Sequence, residues 1–267
     1  MILLKIYKVL LLLTVNIVFL CIGIILNASF FIKQETKIPI RAFCTMLWAK
    51  TLCSILGIHV THTKHHTYKQ PCFIASNHVS YIDIMILASM RPSIFVSKHE
   101  VGNWPLLGLL AKLAGTVFID RASKRSAQQA LIKMEKILSN NISLVVFPEG
   151  TTSDGTRLKQ FKSTLFHVPA KMGIPIIPMS LKYITQSTDK WAIGCPHPVA
   201  WIDDMKLLPH VWQVLGIKQI LACVTINEPV ETIIKNNEGL SQSRKMLTKA
   251  TYDSIQSGLI KIETACA

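Results

Sequence analysis

Residues 71–87, PCFIASNHVSYIDIMIL, decide the fold because they join an apolar run to a polar turn and then to a second apolar run. Residues 71–75 are rich in Phe and Ile, which indicates a strand. Asn77 and His78 interrupt that run, and the Ser-x-x-Asp pattern over residues 80–83 is typical of a helix start. The stretch therefore predicts a strand, a polar turn and a helix in succession, a unit typical of α/β folds.

His78 and Asp83 are the candidate catalytic pair within this stretch. On one regular helix their spacing would set them about 140° apart, so they cannot pair within a single helix. If His78 lies in the turn and Asp83 in the first helical turn, the carboxylate can fix the imidazole tautomer and stabilise the imidazolium. This predicts a general base with an orienting carboxylate. The spacing leaves one alternative open, in which Asp83 is only the acidic half of a capping box on Ser80.

The motif HVSYID at residues 78–83 resembles the His-x4-Asp motif of the glycerolipid acyltransferases, the family that contains the lysophosphatidic acid acyltransferases. Three further stretches resemble that family's other blocks, in the same order and with similar spacings: GTVFIDR at 115–121, FPEG at 147–150 and IPIIP at 174–178. The resemblance implies transfer of a fatty acyl group from acyl-CoA or acyl carrier protein to the free hydroxyl of a lysolipid. The expected acceptor is 1-acyl-sn-glycerol-3-phosphate, which would give phosphatidic acid.

The expected mechanism uses His78 as the base that takes the hydroxyl proton, with Asp83 holding the imidazole. No acyl-enzyme is needed, because the sequence has no Gly-x-Ser-x-Gly elbow and no cysteine adjoins the motif. Backbone amides at the helix start beside His78 are expected to stabilise the oxyanion. No metal or redox cofactor is implied.

Further site residues are expected to bind the substrate. Arg121 follows a predicted strand, where ligands of α/β sheets collect, and arginine suits phosphate; the alternative is a surface arginine paired with Asp120. Glu149 matches the family's glutamate that contributes to acceptor binding, with an ordinary turn as the alternative, and Gly150 lets backbone approach a ligand. The other candidates follow on the same segment: Thr151, Thr152, Arg157 and Lys162.

Position 152 departs from the family's usual pattern. Many members that use lysophosphatidate have Glu-Gly-Thr-Arg here, whereas this chain has Thr152. Its EGTTSDG version at residues 149–155 resembles members that acylate lyso-ornithine lipid, although basic residues nearby can still bind phosphate. Lyso-ornithine lipid is therefore the alternative acceptor. A catalytically inactive membrane-binding homologue is the alternative outside the enzyme class.

Composition points independently to a lipid surface. The 267 residues include 29 Lys and Arg against 15 Asp and Glu, a net charge of +14, and half of them are apolar. The charge implies an anionic partner, and the apolar content without a recognised nucleic-acid motif favours anionic membrane lipids over nucleic acid. Seven scattered cysteines indicate neither a disulfide framework nor a zinc site, and favour a domain that faces the cytoplasm.

Residues 1–35 are predicted to form a transmembrane or membrane-anchor helix. Residues 9–26 carry no charge, and the apolar run is too long for a cleaved signal. Residues 36–267 would form the acyltransferase domain. Within it, residues 43–58 predict an interfacial helix or, alternatively, a core helix, and residues 36–66 as a whole are expected to be that helix and a linker. The linker's histidines, His59, His62, His65 and His66, are expected to be solvated rather than to bind metal.

The rest of the chain predicts an α/β domain with a mixed central sheet covered by helices. The apolar run at 142–147 predicts a central strand buried on both faces. Two prolines in residues 174–181 predict a strand at an edge or paired on one side only. Residues 102–113 suit a short helix that lines an apolar groove or packs in the core. Further elements are expected at 93–97, 116–119 and 220–226 (strands) and at 127–138 and 241–262 (helices).

Overall fold

The computed structural model describes residues 2–62, 71–120, 122–184, 197–202, 205–232 and 239–266, the last range with side chains to residue 262. Within these residues, seven strands form one sheet in the order β1-β7-β6-β2-β5-β3-β4. Neighbouring strands run parallel except β6 and β7, which are antiparallel, so the sheet is mixed as predicted. The strands are β1 Ile58–His62, β2 Phe73–Ser76, β3 Ser93–Lys98, β4 Val117–Ile119, β5 Ser143–Val146, β6 Ile176–Ile184 and β7 Ile220–Ile226.

Helices cover both faces of this sheet, as parallel connections require. One apolar core combines the sheet with α2, α3 and α7, and the other combines it with α5, α6 and α8. The helices are α1 Ile2–Ala28, α2 Gln34–Leu56, α3 Ile82–Met90, α4 Leu107–Leu113, α5 Lys124–Ser139, α6 His167–Met172, α7 Leu207–Val214 and α8 Leu240–Cys266. Short 3₁₀ helices lie at His99–Asn103 and Ser163–Phe166.

The two strands that lead to the predicted motifs lie side by side near the middle of the sheet. All four residues of β2 and all four of β5 are buried, which confirms the central strand predicted at 142–147. Because β2 lies between β5 and β6, His78 emerges at the carboxyl edge of the sheet from one of its innermost strands. That edge is where open α/β sheets bind their ligands.

The edge position predicted for residues 174–181 is wrong. Strand β6 is internal and pairs with both β2 and β7. Pro175 precedes the strand, and Pro178 lies just beyond the last β6–β7 pair, Met179 with Ile226. The oxygen of Pro178 still accepts the N–H of Asn227 at 3.0 Å. The missing proline donor therefore falls where the ladder ends, and so costs the sheet little.

Helix α2 is longer than predicted and belongs partly to the core. It contains Pro39, and its second half buries Ala49, Cys53 and Leu56 against the sheet and α3. This is the core packing that the sequence left as an alternative. Residues 58–62, expected in a linker, instead form the edge strand β1 with His59 and His62 in it. His65 and His66 lie outside the described residues.

Helix α1 lies along the domain. It is the one helix among the described residues that is long and apolar enough to cross a membrane, with a mean hydropathy of 3.0. The Nζ of Lys8 is buried and donates to the backbone oxygens of Leu56, at 3.2 Å, and Ile217, at 3.1 Å. Near the other end, Gly23 packs against Leu113 of α4. One side of α1 is therefore fastened to the domain, while most of its apolar surface is exposed.

Candidate active site

The turn between β2 and α3 carries His78 and is held by its neighbours. The side chain of Asn77 pairs with the backbone of β6, donating to the oxygen of Leu181 at 2.9 Å and accepting its N–H at 2.8 Å. From sequence, Asn77 was only the residue that interrupts a strand. These two side-chain bonds take the place of backbone pairing between β2 and β6 where β2 ends. They therefore fix the position of the backbone just before His78.

His78 and Asp83 are in direct contact. The Nδ1 of His78 lies 2.7 Å from Oδ2 of Asp83, a residue with 0% of its surface exposed. The same Oδ2 accepts the backbone N–H groups of Val79, at 2.7 Å, and Ser80, at 2.9 Å. A carboxylate with these donors is an acceptor, so Nδ1 carries the hydrogen and Nε2 is left as a proton acceptor.

Asp83 therefore satisfies both interpretations offered by the sequence. Its bond to the N–H of Ser80 is the contact expected of the acidic half of a capping box, although the helix N-cap is Tyr81, and its bond to His78 orients the imidazole. The carboxylate also lies in the first turn of α3, where the helix dipole favours negative charge. The remaining oxygen, Oδ1, accepts the hydroxyl of Tyr183.

The imidazole is also held by an aromatic ring. His78 stacks on Phe147, with ring centroids 3.9 Å apart and planes inclined by 12°. Phe147 follows β5 and stacks in turn on Phe95 of β3, at 6.4 Å. The side chain of His78 is 15% exposed. Contact with Phe147 on one side and the bond to Asp83 limit its motion, while part of the ring stays accessible.

Glu149 contacts backbone. Its Oε1 accepts the N–H of His78 at 2.7 Å, and its Oε2 accepts the N–H of Lys159 at 2.9 Å. The residue is only 2% exposed. Burial raises its pKa, and the hydrogen bonds from the Lys159 and His78 amides oppose that rise. Because both oxygens are used inside the protein, this geometry does not favour the direct contact with an acceptor head group that the sequence suggested.

Ser153 holds the other backbone group of His78. The oxygen of His78 accepts the N–H of Ser153 at 2.8 Å and its hydroxyl at 3.1 Å. Together with Glu149, the segment after β5 thus fixes both polar backbone groups of His78. Sequence analysis missed Ser153, although it lies within the EGTTSDG stretch.

The amides of residues 78–80 do not contribute to the oxyanion site expected at the helix start. The N–H of His78 is bonded to Glu149, and those of Val79 and Ser80 are bonded to Asp83. These three donors hold the pair in place instead of pointing at a substrate.

The remaining substrate candidates lie on the segment that follows Glu149. Gly150 has a φ of 72°, a backbone conformation that favours glycine. Thr151 is exposed, Thr152 is partly buried, and Arg157 and Lys162 are both exposed. The oxygen of Thr152 accepts the Nζ of Lys159 at 2.8 Å. Arg121 lies outside the described residues.

His78 lies in the wall of an apolar groove of about 240 Å³. The predicted helix region at 102–113 lines it with Trp104, Leu107, Leu110 and Leu113, which confirms the apolar lining expected of that segment. Helix α1, which packs against α4, supplies a further part of the wall with Phe19, Ile22, Gly23 and Leu26. A long hydrocarbon chain would thus meet apolar side chains next to a proton acceptor.

Comparison with known proteins shows which family the chain resembles. The family model described as Acyltransferase matches residues 57–182. The lyso-ornithine lipid O-acyltransferase of Rhizobium meliloti (strain 1021) is 33% identical over 192 residues, which is 69% of this chain and 65% of that protein. The Pseudomonas aeruginosa protein of the same name is 33% identical over 195 residues, which is 72% of this chain and 71% of that protein.

A further sequence relative and one solved structure are also similar to this chain. The 1-acyl-sn-glycerol-3-phosphate acyltransferase of Neisseria gonorrhoeae is 31% identical over 147 residues, which is 55% of each chain. The crystal structure of the LPA acyltransferase PlsC from Thermotoga maritima has a TM-score of 0.60 at 21% identity, and the match covers 95% of this chain and 97% of that one. The structural likeness confirms the fold, and the chain spans slightly less than two thirds of the Rhizobium meliloti relative. From its motifs, fold and relatives, the chain belongs to the glycerolipid acyltransferase family.

Proposed function

We propose that this protein is a membrane-associated O-acyltransferase, which moves a fatty acyl group from a thioester carrier to the free hydroxyl of a lysolipid. The observation that carries the proposal is the buried Asp83 on Nδ1 of His78, in the wall of an apolar groove. Among the described residues, the hydrogen-bond partner of the His78 ring is Asp83 and not a serine or cysteine, which suits direct transfer with the acceptor's own hydroxyl as the nucleophile.

The proposed reaction proceeds in two proton transfers. The Nε2 of His78 takes the hydroxyl proton as the acceptor oxygen attacks the thioester carbonyl. Asp83 stabilises the imidazolium that results. The tetrahedral intermediate then collapses, the carbon–sulfur bond breaks, and the thiolate leaves with the proton from the imidazolium. The products are the new ester and a free thiol, and His78 returns to its starting state.

The groove is proposed to hold the acyl chain of the donor or the acceptor. Burial of hydrocarbon contributes roughly 0.8 kcal/mol per CH₂, so an apolar wall of this kind strongly favours long chains over short ones. Helix α1 supplies part of that wall. We therefore propose that α1 both anchors the protein in the bilayer and completes the groove.

The residues beyond the pair are proposed to have two kinds of role. Glu149 is assigned a positioning role, because its oxygens hold the backbone of His78 and Lys159. The segment of Gly150, Thr151 and Thr152 is proposed to bound the head-group site, since the neighbouring Ser153 bonds directly to His78. Three basic side chains are proposed to supply positive charge to that site: Arg121, Arg157 and Lys162.

Lyso-ornithine lipid is the acceptor that we place first. Position 152 carries Thr rather than Arg, and the lyso-ornithine lipid O-acyltransferases of Rhizobium meliloti and Pseudomonas aeruginosa align over 69% and 72% of the chain. The 1-acyl-sn-glycerol-3-phosphate acyltransferase of Neisseria gonorrhoeae aligns over 55%. The acceptor expected from the motifs, 1-acyl-sn-glycerol-3-phosphate, remains the second candidate, because the exposed Arg157 and Lys162 can bind a phosphate monoester.

The acyl donor is proposed to be acyl-CoA or acyl carrier protein, met at the cytoplasmic side of the membrane. The free thiols of Cys44, Cys53 and Cys72 fit a reducing compartment. The net charge of +14 favours contact with anionic lipids.

An acceptor panel tests the proposal. Purified full-length protein in mixed micelles is given one acyl donor and, in turn, lyso-ornithine lipid, lysophosphatidate and lysophosphatidylglycerol. The proposal expects acyl ester formation with a lysolipid, with the highest kcat/KM for lyso-ornithine lipid. A higher kcat/KM for lysophosphatidate would reverse the order of the acceptors, and no product with any lysolipid would refute the function.

A further inference from the structure

Tyr183 lies on β6, outside all four of the motif blocks and 100 residues from Asp83 in the chain. Its hydroxyl donates a hydrogen bond to Oδ1 of Asp83. The residue is 2% exposed and belongs to the apolar core between the sheet and α2, α3 and α7. A phenylalanine would fill nearly the same volume, so packing alone does not account for a hydroxyl at this depth.

The bonds on Asp83 are divided between its two oxygens. Oδ2 receives His78, Val79 and Ser80, whereas among the described contacts Oδ1 receives Tyr183. A carboxylate bonded on one oxygen only can rotate about its terminal torsion, which is broad. The bond from Tyr183 removes that freedom and leaves Oδ2 aimed at Nδ1 of His78.

Burial also fixes the direction of this hydrogen bond. Desolvation raises the pKa of Tyr183 well above its ordinary value, and the neighbouring Asp83 raises it further. The phenol therefore stays protonated and is the donor to Oδ1 of Asp83. In doing so it stabilises negative charge on Asp83 without help from the proton on His78.

We propose that Tyr183 is a positioning residue of the acyl-transfer site. It holds the Asp83 carboxylate in place against Nδ1 of His78, and by bonding to Asp83 it limits how strongly that carboxylate stabilises the imidazolium form of His78. The inference rests on the proposed function only in its kinetic test, which measures acyl transfer. Without the hydroxyl, Oδ1 is buried with its partner gone, and Asp83 depends more on the proton of His78. The imidazolium of His78 then loses its proton less readily, so His78 acts as a base only at higher pH.

Other ionisable groups near the pair come from several elements and stay the same in the test. Glu149 approaches from the segment after β5, Cys53 from α2 and Tyr81 from the turn itself. The ring of His197, in the segment before α7, lies 5.5 Å from that of Tyr183. Since replacement of Tyr183 by Phe changes none of these side chains, a shift in titration reports on the lost hydroxyl.

The kinetic test compares Tyr183→Phe with wild type. The proposal expects kcat to fall about tenfold near pH 6, with a smaller loss above about pH 8, because the acidic limb of the pH profile moves to higher pH. The KM for lysolipid should stay close to wild type. Tyr252→Phe is the matched control, since its hydroxyl lies away from the pair and donates to the oxygen of Leu158, at 3.5 Å. A loss that is equal at all pH values would overturn the proposal.

A second measurement needs no turnover and so separates this inference from the proposed function. The ring carbon of His78 is followed by NMR in histidine-labelled protein, with its signal assigned by its absence in His78→Ala. Tyr183→Phe should move the titration midpoint to higher pH, and the same change should move nothing when added to Asp83→Asn. An unmoved midpoint in Tyr183→Phe would overturn the inference even if wild type is an acyltransferase. A moved midpoint would support it even if no acyl transfer is found.

Discussion

Glu149 accepts the backbone N–H of His78 at 2.7 Å, although the two residues lie 71 positions apart in the chain. Its other oxygen accepts the N–H of Lys159 at 2.9 Å. The carboxylate thus joins the turn after β2 to the segment after β5. This relationship makes the FPEG block part of the frame around His78.

Replacing Glu149 by Gln tests that role. The amide NH₂ must face one of two backbone donors, and a buried donor without an acceptor costs about 1–3 kcal/mol. We expect kcat to fall roughly 10- to 100-fold, because small displacements of a catalytic group are costly, with little change in the KM for lysolipid. Glu135→Gln is the control, since Glu135 is paired with Lys171 away from the site. A raised KM with an intact kcat would show that Glu149 contacts the head group.

The strand, turn and helix around His78 were predictable because their signals are local. The apolar run, the polar break and the Ser-x-x-Asp pattern all lie within residues 71–87. The pairing of His78 with Asp83 followed from spacing and from the resemblance. In contrast, the bonds from Asn77 to Leu181, from Ser153 to His78 and from Tyr183 to Asp83 join residues 75–104 positions apart in the chain, and no local pattern encodes them.

Two other differences have the same cause. The prolines of residues 174–181 remove donors, but the sequence does not reveal that Pro178 falls where the β6–β7 ladder ends. The amides beside His78 looked available for an oxyanion, but their acceptors depend on how Asp83 and Glu149 fold back. In both cases the sequence shows which backbone N–H donors are present or missing, but tertiary contacts decide which acceptors they meet.

Removal of residues 2–32 tests the two roles of α1. Bilayer binding should weaken, and the remaining binding should fall with salt, because attraction of a basic surface to anionic lipid is screened within about 10 Å at 0.1 M. Activity should fall more for long-chain than for short-chain thioesters, since Phe19 and Ile22 line the groove. The measurement is vesicle sedimentation with kcat/KM for both thioesters. An equal loss of activity for both chain lengths would show that α1 does not help to bind the acyl chain.

His197 provides a prediction for stability against pH. Burial lowers its pKa from 6.5 to about 4. A group with a depressed pKa contributes stability that is present above its unfolded pKa and is lost as the pH falls through the folded pKa. The free energy of unfolding should therefore decrease by on the order of 2–3 kcal/mol between pH 6.5 and 4 through this group.

The matched variant is His197→Asn, whose side-chain oxygen can still accept the N–H of Val199, bonded at 3.1 Å in the native protein. Urea unfolding at several pH values should give a flatter pH dependence for the variant than for wild type. Parallel curves for the two proteins would show that His197 does not titrate on unfolding in this range.

Thr152→Arg tests which acceptor the site is built for. An arginine fork is the best partner for a phosphate monoester. An ornithine head group carries a carboxylate and an ammonium, and the added arginine would place a cation near that ammonium. If lyso-ornithine lipid is the native acceptor, the variant should lower kcat/KM for it and leave that for lysophosphatidate equal or higher. The measurement is the ratio of the two efficiencies in wild type and variant. An unchanged ratio would mean that position 152 does not touch the head group.

The most direct test of the central claim follows thiol release from an acyl thioester by full-length protein in micelles, with and without lysolipid. Wild type should release thiol only when lysolipid is present, in step with formation of the acylated lipid. His78→Ala should lower this rate by roughly 10²- to 10⁴-fold while its partition into vesicles stays the same. Full turnover by His78→Ala, or thiol release by wild type that does not depend on the lysolipid, would contradict the account.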